Sequence, residues 1–275
     1  MAVERIECAN DARAAAYRDL RDGGLLRARG LFVAEGRLVV RRAIEDGRYR
    51  IESLLVNDAA LRDLAPSIER LDPSIPVFVC PADQFAGVTG FNVHRGCLAL
   101  VHRPPETTVA ALIEGASTLV VLEAVANADN VGGVFRNVAA FGADGVVLSP
   151  TTCDPLYRKA VRTSMAAVLR VPFARARGDE WPAAFDMMRA RGFTLVALTP
   201  RAPSAALETF AARRPPRIAL VVGAEGDGLT AEAEGAADER VRIPISGAVD
   251  SLNLAVAVGI ALHELRRGDD QRRAR

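Results

Sequence analysis

The sequence predicts an α/β fold: a C-terminal, mostly parallel sheet with helices on both faces, preceded by a smaller α/β domain. Three observations predict it. Strand and helix signals alternate along almost the whole 275-residue chain. Beyond residue 118 the strand segments are continuously apolar, as strands buried on both faces are. Between the halves lies HRPPETT, 102–108, whose adjacent prolines and polar neighbours mark a linker. The expected domains are therefore 1–105 and 106–275.

Taken in order, residues 11–22 carry an arginine-rich helical pattern that Gly23-Gly24 should break. LFVAEG at 31–36 reads as a strand, Arg37 to Asp46 as a helix ended by Gly47, and RIESLLVN at 50–57 as a strand. A helix at 58–64, a strand at 75–80, a short helix at 81–87 and a strand at 97–101 complete the first domain. Past the linker, strands are expected at 118–124, 145–149, 193–199, 218–223 and 241–245. Helices are expected near 131–142, 154–167, 180–191 and 229–237. Val241 to Leu265 then reads as strand, Gly/Ser/Asp turn and a buried helix, with Ser251 at the N-cap and Arg266 and Arg267 at the C-terminal end, where cations suit the helix dipole.

Composition narrows the function classes. With 50% apolar and 25% charged residues the chain has the make-up of a soluble globular protein with a substantial core. The longest apolar stretch, Leu252 to Leu262 with Asn253 as its one polar residue, is far short of the roughly 20 residues of a membrane span. MAVERIECAN has no signal-peptide core, so the cytoplasm is the expected location and no membrane partner is expected. Cys8, Cys80, Cys97 and Cys153 form no CxxC pair, and His94, His102 and His263 have no metal-ligand spacing, so no metal is expected. The net charge of +1 gives no overall basic field. Residues 151–178, however, hold Arg158, Arg162, Arg170, Arg175, Arg177 and the sole lysine, Lys159, against the single acid Asp154. This block reads either as a solvated face or as a phosphate contact.

Ligands of parallel sheets bind beyond the strand C-termini, and three such ends are rich in glycine and polar residues. In NADNVGGVFRNVAAFGADG, 127–145, Asn130 can cap a helix, Gly132 and Gly133 allow close approach of another backbone, and Arg136 follows one to two turns later. GAEGDGL, 223–229, is a turn with three glycines around Glu225. It has neither the G-x-G-x-x-G spacing of dinucleotide sites nor the lysine and hydroxyl of a P-loop, which disfavours a nicotinamide oxidoreductase or an ATP enzyme. The third end is the turn and helix start around Ser251 to Asn253.

Together Asn130 to Arg136, GAEGDGL at 223–229 and IPISGAVDSLNLAVAVGIAL at 243–262 resemble the three ordered motifs of the SpoU (TrmH-like) RNA 2′-O-ribose methyltransferases of the SPOUT superfamily. The first 100 residues resemble, less specifically, the L30e-like substrate-binding domain of many members. One departure lies in RTSMAA, 162–167, where the family usually has glycine at the place of Ala166. The resemblance implies a deep trefoil knot in the C-terminal sheet, a homodimer with the active site near the interface, S-adenosylmethionine as cofactor and RNA, rRNA or tRNA, as partner. It further implies cofactor contacts by Thr199, Gly223, Ile243, Ile245 and Leu252, and a catalytic set of Asn130, Arg136, Glu225, Ser251 and Asn253. A guanidinium keeps its proton at neutral pH, so Arg136 is expected to stabilise a developing alkoxide or steer a phosphate rather than act as a base. The alternative is an RNA- or ribosome-binding protein that keeps the fold without turnover.

Overall fold

The computed structural model describes residues 3–7, 10–18, 20, 23–90, 93 and 96–273; Cys8 and His94 lie outside this set. The chain forms two compact units, one of residues 1–105 with 156–169, the other of 106–155 with 170–275.

The first unit runs β1 (Val3–Arg5), α1 (Gly23–Ala28), β2 (Leu31–Glu35), α2 (Arg37–Glu45), β3 (Ile51–Val56), α3 (Asp58–Ile68), β4 (Val77–Val79), α4 (Phe85–Thr89) and β5 (Cys97–His102). Its sheet has the order β1-β4-β3-β5-β2, antiparallel at β2–β5 and β3–β5 and parallel at β4. The helix expected over 11–22 is instead a short 3-10 helix, Ala12–Tyr17, capped by Asp11, whose carboxylate accepts from the Arg13 amide. A helix then starts on Gly23, where a break was expected. Tertiary packing overrides propensity here: a Cβ at Gly23 would lie 3.3 Å from the Tyr157 ring, so the missing side chain lets the helix lie close to it. Tyr17 is fully buried in the core with its hydroxyl on Ser53, 2.8 Å away.

The late segment 156–169 belongs to this unit although it follows the linker in sequence. Glu35, at the end of β2, is completely buried and takes charged hydrogen bonds from Arg158 at 2.8 Å and Arg162 at 3.2 Å. A buried carboxylate needs such partners, so two arginines of the basic block are committed internally. Ala166 has φ +65° and its neighbour Met165 φ +54°, the left-handed region that glycine adopts without cost. The departure from glycine at Ala166 costs about 1–2 kcal/mol of backbone energy, part of which its buried methyl group offsets.

The second unit holds α5 (Val109–Glu114), β6 (Thr118–Leu122), α6 (Ala128–Phe141) and β7 (Gly145–Leu148). After α7 (Arg158–Thr163), which is part of the first unit, come β8 (Phe173–Arg175), α8 (Trp181–Ala190), β9 (Thr194–Leu198), β10 (Ala205–Ala206), α9 (Leu207–Ala212), β11 (Ile218–Val222), α10 (Ala231–Ala236), β12 (Glu239–Arg242) and α11 (Leu254–Arg273). The seven strands are ordered β10-β12-β9-β11-β6-β7-β8, and every neighbouring pair is parallel. The continuously apolar segments are the central strands, and β7 and β11 are buried at every residue. Arg175, also of the basic block, spends its guanidinium on the carbonyls of Ser149, Pro150 and Thr152, tying down the loop after β7.

Two boundaries differ from the sequence reading in ways that matter for the site. The last strand ends at Arg242 rather than 245, because Pro244 has no N–H for the ladder, and Ile243 and Ile245 fall in the loop beyond it. The last helix is capped by Asn253, not Ser251: the Asn253 carbonyl oxygen of the side chain accepts from the Val256 amide at 3.2 Å. That helix is also less buried than its composition suggests, with Val256 and Ile260 exposed. It packs on α6, where a Cβ at Gly133 would sit 2.6 Å from that of Ala255, and Asn137 donates to the Ala255 carbonyl at 2.5 Å.

Candidate active site

The site lies beyond the C-terminal ends of β9 and β11, where open parallel sheets bind ligands. Here a cleft of about 520 Å³ is lined by the strand ends Leu198–Thr199 and Val222–Gly223, the 224–229 turn, Ile243, Ile245, and Asp250 to Leu254. Its size and mixed apolar and backbone lining suit a small organic ligand.

Each wall has a local cause. The 223–229 turn doubles back on itself, Gly228 donating to the Ala224 carbonyl, with φ +89° at Gly226 and +71° at Gly228. A Cβ at Gly223 would lie 2.1 Å from the Gly228 carbonyl oxygen, so only glycine permits this fold of the turn onto its strand. Thr199 is buried; its amide donates to the Val241 carbonyl and its hydroxyl to Glu234. Below the turn, the buried carboxylate of Glu123 at the end of β6 accepts from both the amide and the hydroxyl of Thr230, fixing the start of α10.

Polar side chains from three distant stretches meet beside the cleft, Asn130 reaching it through Asn253. The Asn253 side-chain nitrogen donates to Asn130 Oδ1 at 2.9 Å and to Glu225 Oε1 at 2.8 Å, while its oxygen caps α11. Both amide protons and the oxygen are thus in use on one side chain. Asn130 is not the cap of α6, since Asn127 accepts from the Asp129 amide in that role; it sits buried in the first turn. Among the described residues its Nδ2 has no partner, an unusual condition for a buried donor. Ser251 is exposed on the cleft lining. Arg136 is exposed on α6 and does not line the cleft; among the described residues its guanidinium has no hydrogen bond or ion pair. The structure therefore gathers Asn130, Glu225, Ser251 and Asn253 with Thr199, Gly223, Ile243, Ile245 and Leu252, and leaves Arg136 apart. Residues that the sequence reading passes over are Glu123, Glu234 and Arg201. Arg201 carries the same signal as the others, a polar residue just past an apolar strand.

Among known proteins, the profile of the SpoU rRNA Methylase family matches residues 117–263. Proteins of Mycobacterium tuberculosis and Mycobacterium bovis, named "uncharacterized tRNA/rRNA methyltransferase", are 42% identical over 263 residues, covering 94% of this chain and 90% of theirs. The crystal structure of an AdoMet-bound rRNA methyltransferase from Sinorhizobium meliloti is similar over 96% of this chain and 98% of its own, with TM-score 0.80 and 26% identity. An RNA 2′-O ribose methyltransferase shares the fold over 96% of this chain and 99% of its own, at TM-score 0.78 and 23% identity. The matched span contains all three stretches that meet at the cleft, and this chain belongs to the SpoU rRNA Methylase family.

Proposed function

We propose that the protein transfers a methyl group from S-adenosylmethionine to the 2′-hydroxyl of a ribose in a structured RNA, with rRNA favoured over tRNA. The observation that carries this reading is the bridge from Asn253 to Asn130 and Glu225, which joins residues of the three motifs beside a glycine-walled cleft. The residues fit the cofactor. Gly223 keeps the strand end free of a side chain, Leu252 and Ile243 supply apolar walls, and the Thr199 carbonyl supplies an acceptor. Thr199, Gly223, Ile243, Ile245 and Leu252 would hold it largely through backbone. Bound there, S-adenosylmethionine supplies a methyl group already activated on a sulfonium.

What remains for the chain is to align the ribose oxygen and favour loss of its proton to solvent as the methyl group leaves the sulfonium. Arg136, apart from the cleft of its own protomer, acts in the homodimer, where its cation stabilises the negative charge that develops on the 2′-oxygen and steers the adjacent phosphate. Asn130, bonded to Asn253, orients the ribose or Arg136, and Ser251 offers a hydroxyl contact at the cleft edge. Glu225 holds Asn253, and through it Asn130, in one orientation.

The active unit in this reading is a homodimer, with the exposed Val256 and Ile260 of α11 in the interface and Arg136 acting near it. The first unit, read as an L30e-like domain, binds the RNA. The knot expected of the family belongs to the same reading: after β12 the 243–253 loop passes the 223–229 turn before α11 packs on α6. Labelled S-adenosylmethionine with bulk RNA, followed by mapping of 2′-O-methyl positions in cells with and without the protein, tests it. Arg136→Ala should keep cofactor affinity and lose about 100- to 1,000-fold in methyl transfer. Turnover within a few-fold of wild type would remove Arg136 from the mechanism, and no label in RNA from the wild-type protein would favour a binding protein without turnover.

A further inference from the structure

We propose that Arg201 is a positioning residue for the cleft: its guanidinium fork holds the 223–229 turn in the shape that S-adenosylmethionine requires. This rests on the reading of the cleft as the cofactor site. The turn has little of its own to keep it closed. Glu225, Gly226 and Asp227 are exposed, two of the three glycines have positive φ, and one backbone bridge, Ala224 to Gly228, spans its neck. A segment so rich in glycine loses much conformational entropy on ordering.

Arg201 supplies the missing restraint from the other side of the cleft. Its Nη2 donates to the Asp227 carbonyl at 2.7 Å, and its Nη1 to the Leu229 carbonyl at 3.2 Å and to Glu234 Oε1 at 3.3 Å. The Arg201 amide donates to Thr199 Oγ1 at 3.2 Å, and that hydroxyl donates to the same Glu234 oxygen at 2.9 Å. A closed circuit therefore links the end of β9, the turn and α10. Glu234 is buried and Arg201 about half-exposed, so the ion pair is screened and the carbonyl bonds of the fork set the geometry. Two carbonyls two residues apart suit a planar guanidinium and not the single point of a lysine ammonium. The consequence reaches the cofactor through Gly223, because the Gly228 carbonyl that the fork's bonds flank is the atom packed against it. If the turn lifts, the wall between Thr199 and Gly223 is lost.

The test uses the full chain, with Arg201→Ala and Arg201→Lys compared with wild type. Cofactor binding is read by calorimetry with S-adenosylmethionine, the turn by hydrogen exchange of the ligand-free protein, and the fold by thermal melting. Both variants should bind S-adenosylmethionine about 10- to 100-fold more weakly, as loss of two or three hydrogen bonds would give. Exchange should rise at 225–229 and stay unchanged in β9 and β11, with the melting point close to wild type. Wild-type affinity in either variant overturns the proposal, and so does a loss of affinity accompanied by general destabilisation. If the wild-type protein itself does not bind S-adenosylmethionine, the cofactor reading fails, while exchange at 225–229 still decides whether the fork holds the turn.

Discussion

At the scale of the residue, Asn253 separates two roles that its sequence position alone confounds. It caps α11, and it also donates both amide protons across the cleft, to Asn130 and Glu225. Aspartate caps a helix as well as asparagine does but has no proton to donate, and it would set a carboxylate against Glu225. Asn253→Asp should therefore retain the helix start yet lose about 100-fold in methyl transfer, whereas Asn253→Ala should lose the cap as well, worth about 1 kcal/mol. Wild-type transfer in Asn253→Asp, measured with labelled cofactor, would reduce the residue to a cap. The same pair of roles explains what the sequence could and could not disclose. That polar residues stand at three strand ends is visible in the residue string, because the strands before them are so uniformly apolar. Which of Ser251 and Asn253, or of Asn127 and Asn130, performs the capping is not, because all four are good caps within one helical turn. The role of Arg201 is hidden for a different reason: two of its three guanidinium partners are main-chain carbonyls, which leave no trace in a side-chain pattern.

Among the elements, the pairing of α6 with α11 fixes the distance between Asn130 and Asn253, and a glycine sets it. At Gly133 an added methyl would meet Ala255 at 2.6 Å, a separation that forces the helices apart. Gly235, inside α10, faces open space. Replacement by alanine should thus have opposite signs at the two positions. Gly235→Ala should stabilise by up to about 1 kcal/mol through helix propensity, while Gly133→Ala should destabilise by about 1–2 kcal/mol, overpacking outweighing the same propensity gain. Chemical denaturation of both variants checks this, and stabilisation of Gly133→Ala would show that the helices can separate freely. The central strands were legible because burial on both faces leaves an unbroken apolar run. The short pieces α5, β8, β10 and α9 were not, since segments of two to six residues contain less than two turns or one alternation. The arginine-rich stretch at 11–22 misled for the opposite reason: helix propensity is a weak prior, and packing around Tyr17 and Tyr157 decided the outcome.

For the whole molecule, the departure from a simple two-part chain is the segment 156–169. The linker at 102–108 suggests that everything after it forms one domain, yet this segment clusters with residues 1–105. A linear reading cannot foresee that, because the partner of Arg158 and Arg162 is Glu35, more than 120 residues earlier. It also revises the reading of the basic block. Arg158, Arg162 and Arg175 hold the structure together, so on the proposed function RNA phosphates fall to other cations, such as Arg136 and the exposed Arg177. Removing residues 1–105 should then have a divided effect. The seven-stranded sheet, the cleft and α11 lie wholly in the second unit, so residues 106–275 alone should fold and bind S-adenosylmethionine within about 3-fold of the full chain, a change of less than about 1 kcal/mol. The 156–169 segment, stripped of Glu35 and of the core that buries Val161, Val168 and Leu169, should become the site of proteolytic cleavage. With the first unit gone, RNA should bind more weakly and with a shallower dependence on salt, since fewer phosphates are neutralised. Limited proteolysis, calorimetry and RNA binding across a salt series measure the three effects on one protein. Full RNA affinity with an unchanged salt slope would place substrate recognition in the second unit alone, and a 156–169 segment that resists protease would show that it does not depend on Glu35 and its neighbours for its structure.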